Sequence, residues 1–208
     1  MTILRFTRTE RAFHWVHAAA FLTMLGSGLV LYVPALAVVV NRRPLVKDVH
    51  VYTAVAWLAA LALILVVGDR RAVLRDLVEA ERFDGDDGAW LRGRKTPQGR
   101  FNAGQKINIV LTAAFAVLFA VSGADLWYGE RHTAARLPGA IFLHDSLTYA
   151  ALLLFVGHLY FAVINPATRH SLRGMTEGSV DEDWATEHHA KWVAELGRGP
   201  SNRITTGR

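Results

Sequence analysis

Charged side chains are missing from long stretches of this chain. Residues 12–41 contain no Asp, Glu, Lys or Arg, nor do 49–68 or 107–124, and 137–168 contain only Asp145. A helix needs ~20 residues to cross ~30 Å of hydrocarbon, so the pattern predicts four transmembrane helices, about 12–33, 49–67, 105–126 and 138–165. Pro34 ends or kinks the first, and Pro166 stops the fourth. Gly26-Ser27-Gly28 offers a surface small enough for a neighbouring helix or a flat ligand to approach closely. Trp127 and Tyr128 close the third span as interfacial anchors. The expected fold class is an all-α membrane protein, a four-transmembrane-helix bundle forming one domain over residues 1–208.

The polar remainder consists of a charged loop, 69–100, whose centre Asp84-Gly85-Asp86-Asp87-Gly88 is rich in turn formers, and a tail, 169–208. Within the tail, Asp183–Leu196 reads as a short helix on the membrane surface, with Trp184 and Trp192 at headgroup level. The net charge of +5 and pI near 9.9 arise from asymmetry between loops. The N-terminal segment, the 69–106 segment and the tail hold 18 Lys and Arg, against five on the alternate side. The positive-inside rule then places both termini and the long loop in the cytoplasm, and nucleic acid is not the expected partner. Pro34-Ala35-Leu36-Ala37 mimics a signal-peptide cleavage site, but the apolar run before it is too long for a usual signal segment.

The chain has no cysteine, which excludes disulfides, thiolate-held clusters, covalent c-type haem and cysteine-ligated zinc. Nine histidines remain. His14 lies at the cytoplasmic start of the first span and His50 at the external start of the second. His144 and His158 lie on the fourth span, fourteen residues apart. That separation is 40° short of four full turns, so both rings share a face about 21 Å apart along the axis. His50 and His144 are thus level near the outer side, His14 and His158 near the inner side. Two histidine pairs at two depths suit two stacked b-type haems, each axially held by two imidazoles between bundle helices. A lone intramembrane histidine is more often an interhelical hydrogen-bonding or proton-relay group; matched pairs change that balance. His17, one turn from His14, reads as a packing or haem-propionate contact, and His132, His170, His188 and His189 as surface residues.

Several segments resemble one family. Arg11-Ala12-Phe13-His14-Trp15, Ser27-Gly28, His50, Phe101-Asn102-Ala103-Gly104-Gln105-Lys106, His144, His158, Gly174-Met175-Thr176-Glu177-Gly178, Trp184 and His188-His189-Ala190-Lys191-Trp192 resemble the cytochrome b (gamma) subunits of membrane-bound formate dehydrogenases. These belong to the wider group of quinone-reactive di-haem cytochromes b. The histidine spacing is shared with hydrogenase cytochromes b, whereas the segments at 101–106 and 173–178 are the more diagnostic. The resemblance pairs His14 with His158 and His50 with His144. It implies a multi-pass subunit of the bacterial cytoplasmic (inner) membrane, in contact with lipid, with two haem b. Electrons would come from an iron–sulfur partner subunit served by a molybdenum- or tungsten-containing catalytic subunit, and leave to quinone (menaquinone or ubiquinone) near the cytoplasm. The formate chemistry would lie on the partner.

The expected quinone site is Asn102, Gly104 and Gln105 at the start of the third span, beside His158. The two amides offer donors to the quinone carbonyls, Gly104 permits close backbone approach, and the first amides of a helix have no intrahelical partner. Asn102 with Gln105 at N3 also fits a capping-box-like helix start. Asp145 departs from the family's small uncharged residue; a carboxylate at membrane depth must be wet, paired or protonated. Other readings are a cytochrome b serving a hydrogenase or another periplasmic oxidoreductase, and, in a different class, a haem-free anchor or proton-coupled transporter.

Overall fold

The computed structural model describes residues 1–198, so the end of the expected tail, 199–208, lies outside the described residues. The chain runs β1 (Thr2–Leu4), α1 (Arg8–Tyr32), α2 (Pro34–Val40), α3 (Arg43–Val67), α4 (Arg70–Glu81), α5 (Gly85–Leu91), α6 (Ala103–Gly129), a short 3-10 turn and α7 (Ala140–Leu159). A π-turn (Tyr160–Ile164), a second 3-10 turn, α8 (Leu172–Thr176), β2 (Ser179–Asp181), α9 (Glu182–His188) and α10 (Ala190–Arg198) complete it.

Four helical segments, Arg8–Tyr32, Arg43–Val67, Ala103–Gly129 and Ala140–Ile164, are long and apolar enough to cross a membrane. Only 6% of the most apolar window of each of the first three, and 11% of the fourth, is buried inside the protein. So much exposed Leu, Val and Phe is untenable in water and is what lipid-facing helices require. Pro34 ends α1 as expected and opens α2, with Asn41 in the left-handed region at φ 48° closing it.

The chain divides into two compact units. One comprises Met1–Arg11, Asp69–Ala114 and the chain from Leu153 onward. In it β1 pairs antiparallel with β2 in the register Thr2↔Asp181, Ile3↔Val180 and Leu4↔Ser179. The Arg5 and Phe6 amides then both donate to the Gly178 carbonyl, at 2.8 and 3.0 Å. Gly178 has φ +95°, and a Cβ there would meet the Phe6 carbonyl at 3.1 Å, so the position requires glycine.

The segment expected to be a charged loop is folded. Asp69 caps α4 by accepting from the Arg71 and Ala72 amides, and Asp84 and Asp87 form a reciprocal capping box at the start of α5. Ala72, Val73 and Ala80 bury one face of α4. The acidic turn formers at 84–87 therefore begin a helix, because their short carboxylates satisfy its first amides.

The tail also departs from expectation. The single surface helix is split at His189 into α9 and α10, and Trp192 is buried with Val180 and Ala185. His189 is 1% exposed, which corrects its reading as a surface residue, whereas His132 and His170 are exposed as expected.

The other unit comprises Ala12–Gly68 and Phe115–Leu152. In it Arg43 donates to the Leu31 carbonyl at 2.9 Å, and Tyr149 donates to the Tyr32 hydroxyl at 2.9 Å. Lys47 pairs with Glu130 at 2.8 Å, an exposed ion pair of little energetic weight.

Candidate functional site

α3 and α7 bring His50 and His144 together, with ring centroids 6.2 Å apart. Each ring is held from behind by the same device. Ser27 Oγ lies 3.0 Å from His50 Nδ1, and Ser122 Oγ lies 2.9 Å from His144 Nδ1. Each serine donates its own hydroxyl proton back along its helix, Ser27 to the Thr23 carbonyl and Ser122 to the Leu118 carbonyl, both at 2.7 Å. With that proton committed, each Oγ accepts from the imidazole Nδ1–H. Both rings are thereby held in the tautomer whose Nε2 lone pair is free for a metal.

The following glycines complete the cradle. A Cβ on Gly28 would meet His50 Cε1 at 3.4 Å, and one on Gly123 would meet His144 Cε1 at 3.4 Å. Even an alanine at either position would already touch the ring. Ser27-Gly28 was legible as a close-approach motif, but its counterpart Ser122-Gly123 was missed. Its signal is the same dipeptide recurring in a second apolar span, 22 residues before a histidine, where the first lies 23 before.

This arrangement fits iron held between two imidazoles. A metal–imidazole nitrogen bond of about 2 Å, with the ring centre about 1.1 Å behind the nitrogen, sets opposed rings about 6.3 Å apart. The observed 6.2 Å matches. Phe119 adds an edge contact to His144 at 5.1 Å, and Asp145 is half-buried next to it.

His14 stands on the second turn of α1, half-buried and edge-on to Trp15 at 5.0 Å. His17 packs against Trp57 at 5.5 Å, as in the packing alternative of the two roles expected for it. His158 lies at the end of α7 with an exposed side chain, immediately before the π-turn. His14 and His158 belong to different units.

At the start of α6, Asn102 Oδ1 accepts from the Gln105 amide at 2.9 Å, and Gln105 Oε1 accepts from the Asn102 amide at 3.1 Å. This is a reciprocal helix cap. Because both oxygens are turned toward backbone N–H groups, the two side-chain NH₂ groups are turned away. Among the described residues neither NH₂ has an acceptor, so the cap leaves two amide donors presented. Gly104 is packed closely, with a Cβ there meeting Trp90 at 3.3 Å.

Sequence reasoning missed the buried cation beside this cap. Arg5 is 3% exposed and donates to the Arg100 carbonyl at 2.7 Å and to Gln105 Oε1 at 3.3 Å. It also lies 3.2 Å from His189 Nε2, and its guanidinium sits over the rings of Phe6, Trp184 and Trp192. His189 Nδ1 donates to the Gly99 carbonyl at 2.7 Å, so Nε2 is the acceptor for Arg5. Burial, then the Arg100 charge, pushes Arg5 down to about 9. Burial, then Arg5, pushes His189 down to about 3, so it is neutral. The motif segments meet here: Phe6 lies 3.2 Å from where a Gly174 Cβ would be and stacks on Phe101, while Arg11 donates to the Met175 and Thr176 carbonyls.

A pair of histidines on apolar helices, each backed by a serine, now stands beside the sequence motifs. The profile of the family described as prokaryotic cytochrome b561 matches residues 5–178. The chain belongs to the prokaryotic cytochrome b561 family. Such a cytochrome carries haem b, and with its four apolar helices it is an integral membrane protein. It is 28% identical over 209 residues to the formate dehydrogenase cytochrome b556(fdo) subunit of Escherichia coli (strain K12), covering 94% of this chain and 93% of that one. The nitrate-inducible formate dehydrogenase cytochrome b556(Fdn) subunit of the same strain is 23% identical, over 97% of this chain and 94% of its own. A formate dehydrogenase cytochrome b556 subunit of Haemophilus influenzae is 24% identical, over 93% and 83%. These relatives agree with the resemblance drawn from the motifs.

Proposed function

We propose that this cytochrome b561 family member is the membrane cytochrome b subunit of a formate dehydrogenase, four-helical with both termini cytoplasmic. His50 and His144 hold an outer haem b, and His14 and His158 an inner one. Two such haems supply one-electron transfer between a partner's iron–sulfur clusters and quinone. Formate oxidation belongs to a molybdenum- or tungsten-containing partner. The observation that carries this reading is the His50–His144 pair, with ring centroids 6.2 Å apart and Nδ1 of each ring in contact with a serine. Ser27 and Ser122 orient the ligands and hold their Nδ1 protons. Gly28 and Gly123 let the rings sit against α1 and α6. Asn102 and Gln105 present amide donors to the quinone carbonyls, and the Arg5 charge beside Gln105 favours a carbonyl oxygen that gains negative charge.

The experiment is haem quantification by pyridine haemochrome on the purified complex and its ligand variants. Substituting His50 or His144 removes the outer haem and leaves the inner one; substituting His14 or His158 does the converse. All four variants retaining two haems per chain would refute the assignment. Formate-driven haem reduction in the co-purified complex tests the partner, and reduction by hydrogen alone would reassign it.

A further inference from the structure

Beside the Asn102–Gln105 cap lies a charged cluster that the reading so far does not use. Glu10 is the last member of a capping box at the start of α1. Its Oε2 accepts from the Thr7 amide at 2.5 Å, and Thr7 Oγ1 accepts from the Glu10 amide at 3.3 Å. Its side chain is 3% exposed. Arg100 clamps two carboxyl groups at once, donating to Glu10 Oε1 at 2.7 Å and to Asp76 Oδ1. Asp76, on α4, is thereby gathered with Glu10 on one guanidinium. The groups facing the pair are Arg100, Arg75, whose guanidinium is 3.8 Å from Glu10, and more distantly Arg5.

Two carboxyl groups held on one guanidinium and largely shielded from water repel each other when both are ionised, which favours a proton on one of them. Burial pushes Asp76 up to about 8, against the pull of Arg100 and with the help of nearby Glu10. Asp76 is therefore the member that keeps the proton. The Asp76 side chain is 16% exposed, so it retains a path to water, while Glu10 does not.

The cluster is also continuous with the cap. Arg100 donates to the Arg5 carbonyl, Arg5 donates back to the Arg100 carbonyl, and the same Arg5 nitrogen donates to Gln105 Oε1. Arg5 Nε and Nη1, fully buried, have no hydrogen-bond partner among the described residues.

We propose that the Glu10–Asp76 pair is the proton donor to the quinone bound at Asn102 and Gln105. This rests on the quinone reading of that cap. Quinone becomes quinol by taking two electrons from the complex's own redox chain and two protons. For each proton the Asp76 O–H bond breaks, a quinone O–H bond forms, and the pair reloads one proton from cytoplasmic water. Arg100 holds both carboxyl groups in place and does not itself exchange a proton.

The test uses the complete complex with Asp76→Asn and Glu10→Gln, each of which keeps a hydrogen-bonding group opposite Arg100. After reduction by formate or dithionite, haem oxidation by added quinone slows about ten-fold or more in both variants at neutral pH, with haem content and quinone KM unchanged. The wild-type rate falls as the pH rises past about 8, and the Asp76→Asn rate loses that dependence. Independently, infrared difference spectra show a protonated-carboxyl band in wild type that is absent in Asp76→Asn. Rates within two-fold of wild type with the wild-type pH profile, or no carboxyl band, would overturn the proposal. A loss of haem or a raised KM would reduce the cluster to a structural clamp and overturn it as well. Asn102→Ala and Gln105→Ala separate the two readings. If both oxidise normally while Asp76→Asn is slow, the quinone is elsewhere and the placement at the cap fails; if both are slow and Asp76→Asn is not, the cap stands and the donor fails.

Discussion

Removing one hydroxyl behind a proposed axial ligand tests the proposed outer haem site more sharply than removing the ligand itself. In Ser122→Ala the His144 Nδ1–H loses an acceptor at 2.9 Å inside an apolar span, where water does not replace it. An unsatisfied buried donor costs about 1–3 kcal/mol, and that cost is felt in the tautomer that leaves Nε2 to the iron. At 1.4 kcal/mol per factor of ten, outer-haem affinity falls roughly 5- to 150-fold, a span that brackets the roughly 10- to 100-fold typical of residues that orient metal ligands. The hydrogen bond also makes the imidazole a stronger electron donor and so favours ferric iron. Losing about 1 kcal/mol of that preference raises the outer midpoint potential by about 40 mV, at 59 mV per factor of ten. Ser27→Ala acts on His50 through its 3.0 Å contact with the same sign. The assay is haem occupancy after limited haem supply, followed by a redox titration resolving two components. Wild-type occupancy and an unmoved outer potential in both variants would refute the argument that the serines set the ligand tautomer.

Three further outcomes follow from the unit that holds β1 and β2. His189 is held near 3 against an ordinary value near 6.5, so the unfolded or undocked tail binds the proton more readily. Its contribution to docking is complete above about 6.5 and is lost as the pH falls from there toward 3. Limited proteolysis of the tail therefore accelerates on acidification, and His189→Gln removes the dependence. Lys106 and Asp87 pair at 2.8 Å with side chains 6% and 3% exposed, so Lys106→Met strands a buried carboxylate and costs about 3–5 kcal/mol, read as a lowered Tm. Asp87→Asn in the same chain restores part of that loss. Gly178→Ala places a Cβ 3.1 Å from the Phe6 carbonyl at φ +95°, and costs about 1–3 kcal/mol in the stability of the β1–β2 pair.

The four apolar spans were legible because the thickness of hydrocarbon imposes a minimum length and forbids unpaired charge, whatever packs against them. Span boundaries differ from expectation by a few residues, since helices such as α3 begin in the polar region, at Arg43, where charge is no obstacle. Position along a spanning helix translates into height, which is why His50 and His144 were expected to stand level; their rings lie 6.2 Å apart. The loop 69–100 was misjudged because its helices are specified by caps and by an apolar face that only a tertiary partner covers. What the tertiary structure alone decided is lateral: that Ser122 stands behind His144, that His189 is buried under Arg5, and that Glu10, Asp76 and Arg100 meet from three separate segments. Periodicity assigns each residue a height and a face, but which faces meet depends on packing between distant segments, and hydrogen-bond partners form only once those faces are in contact.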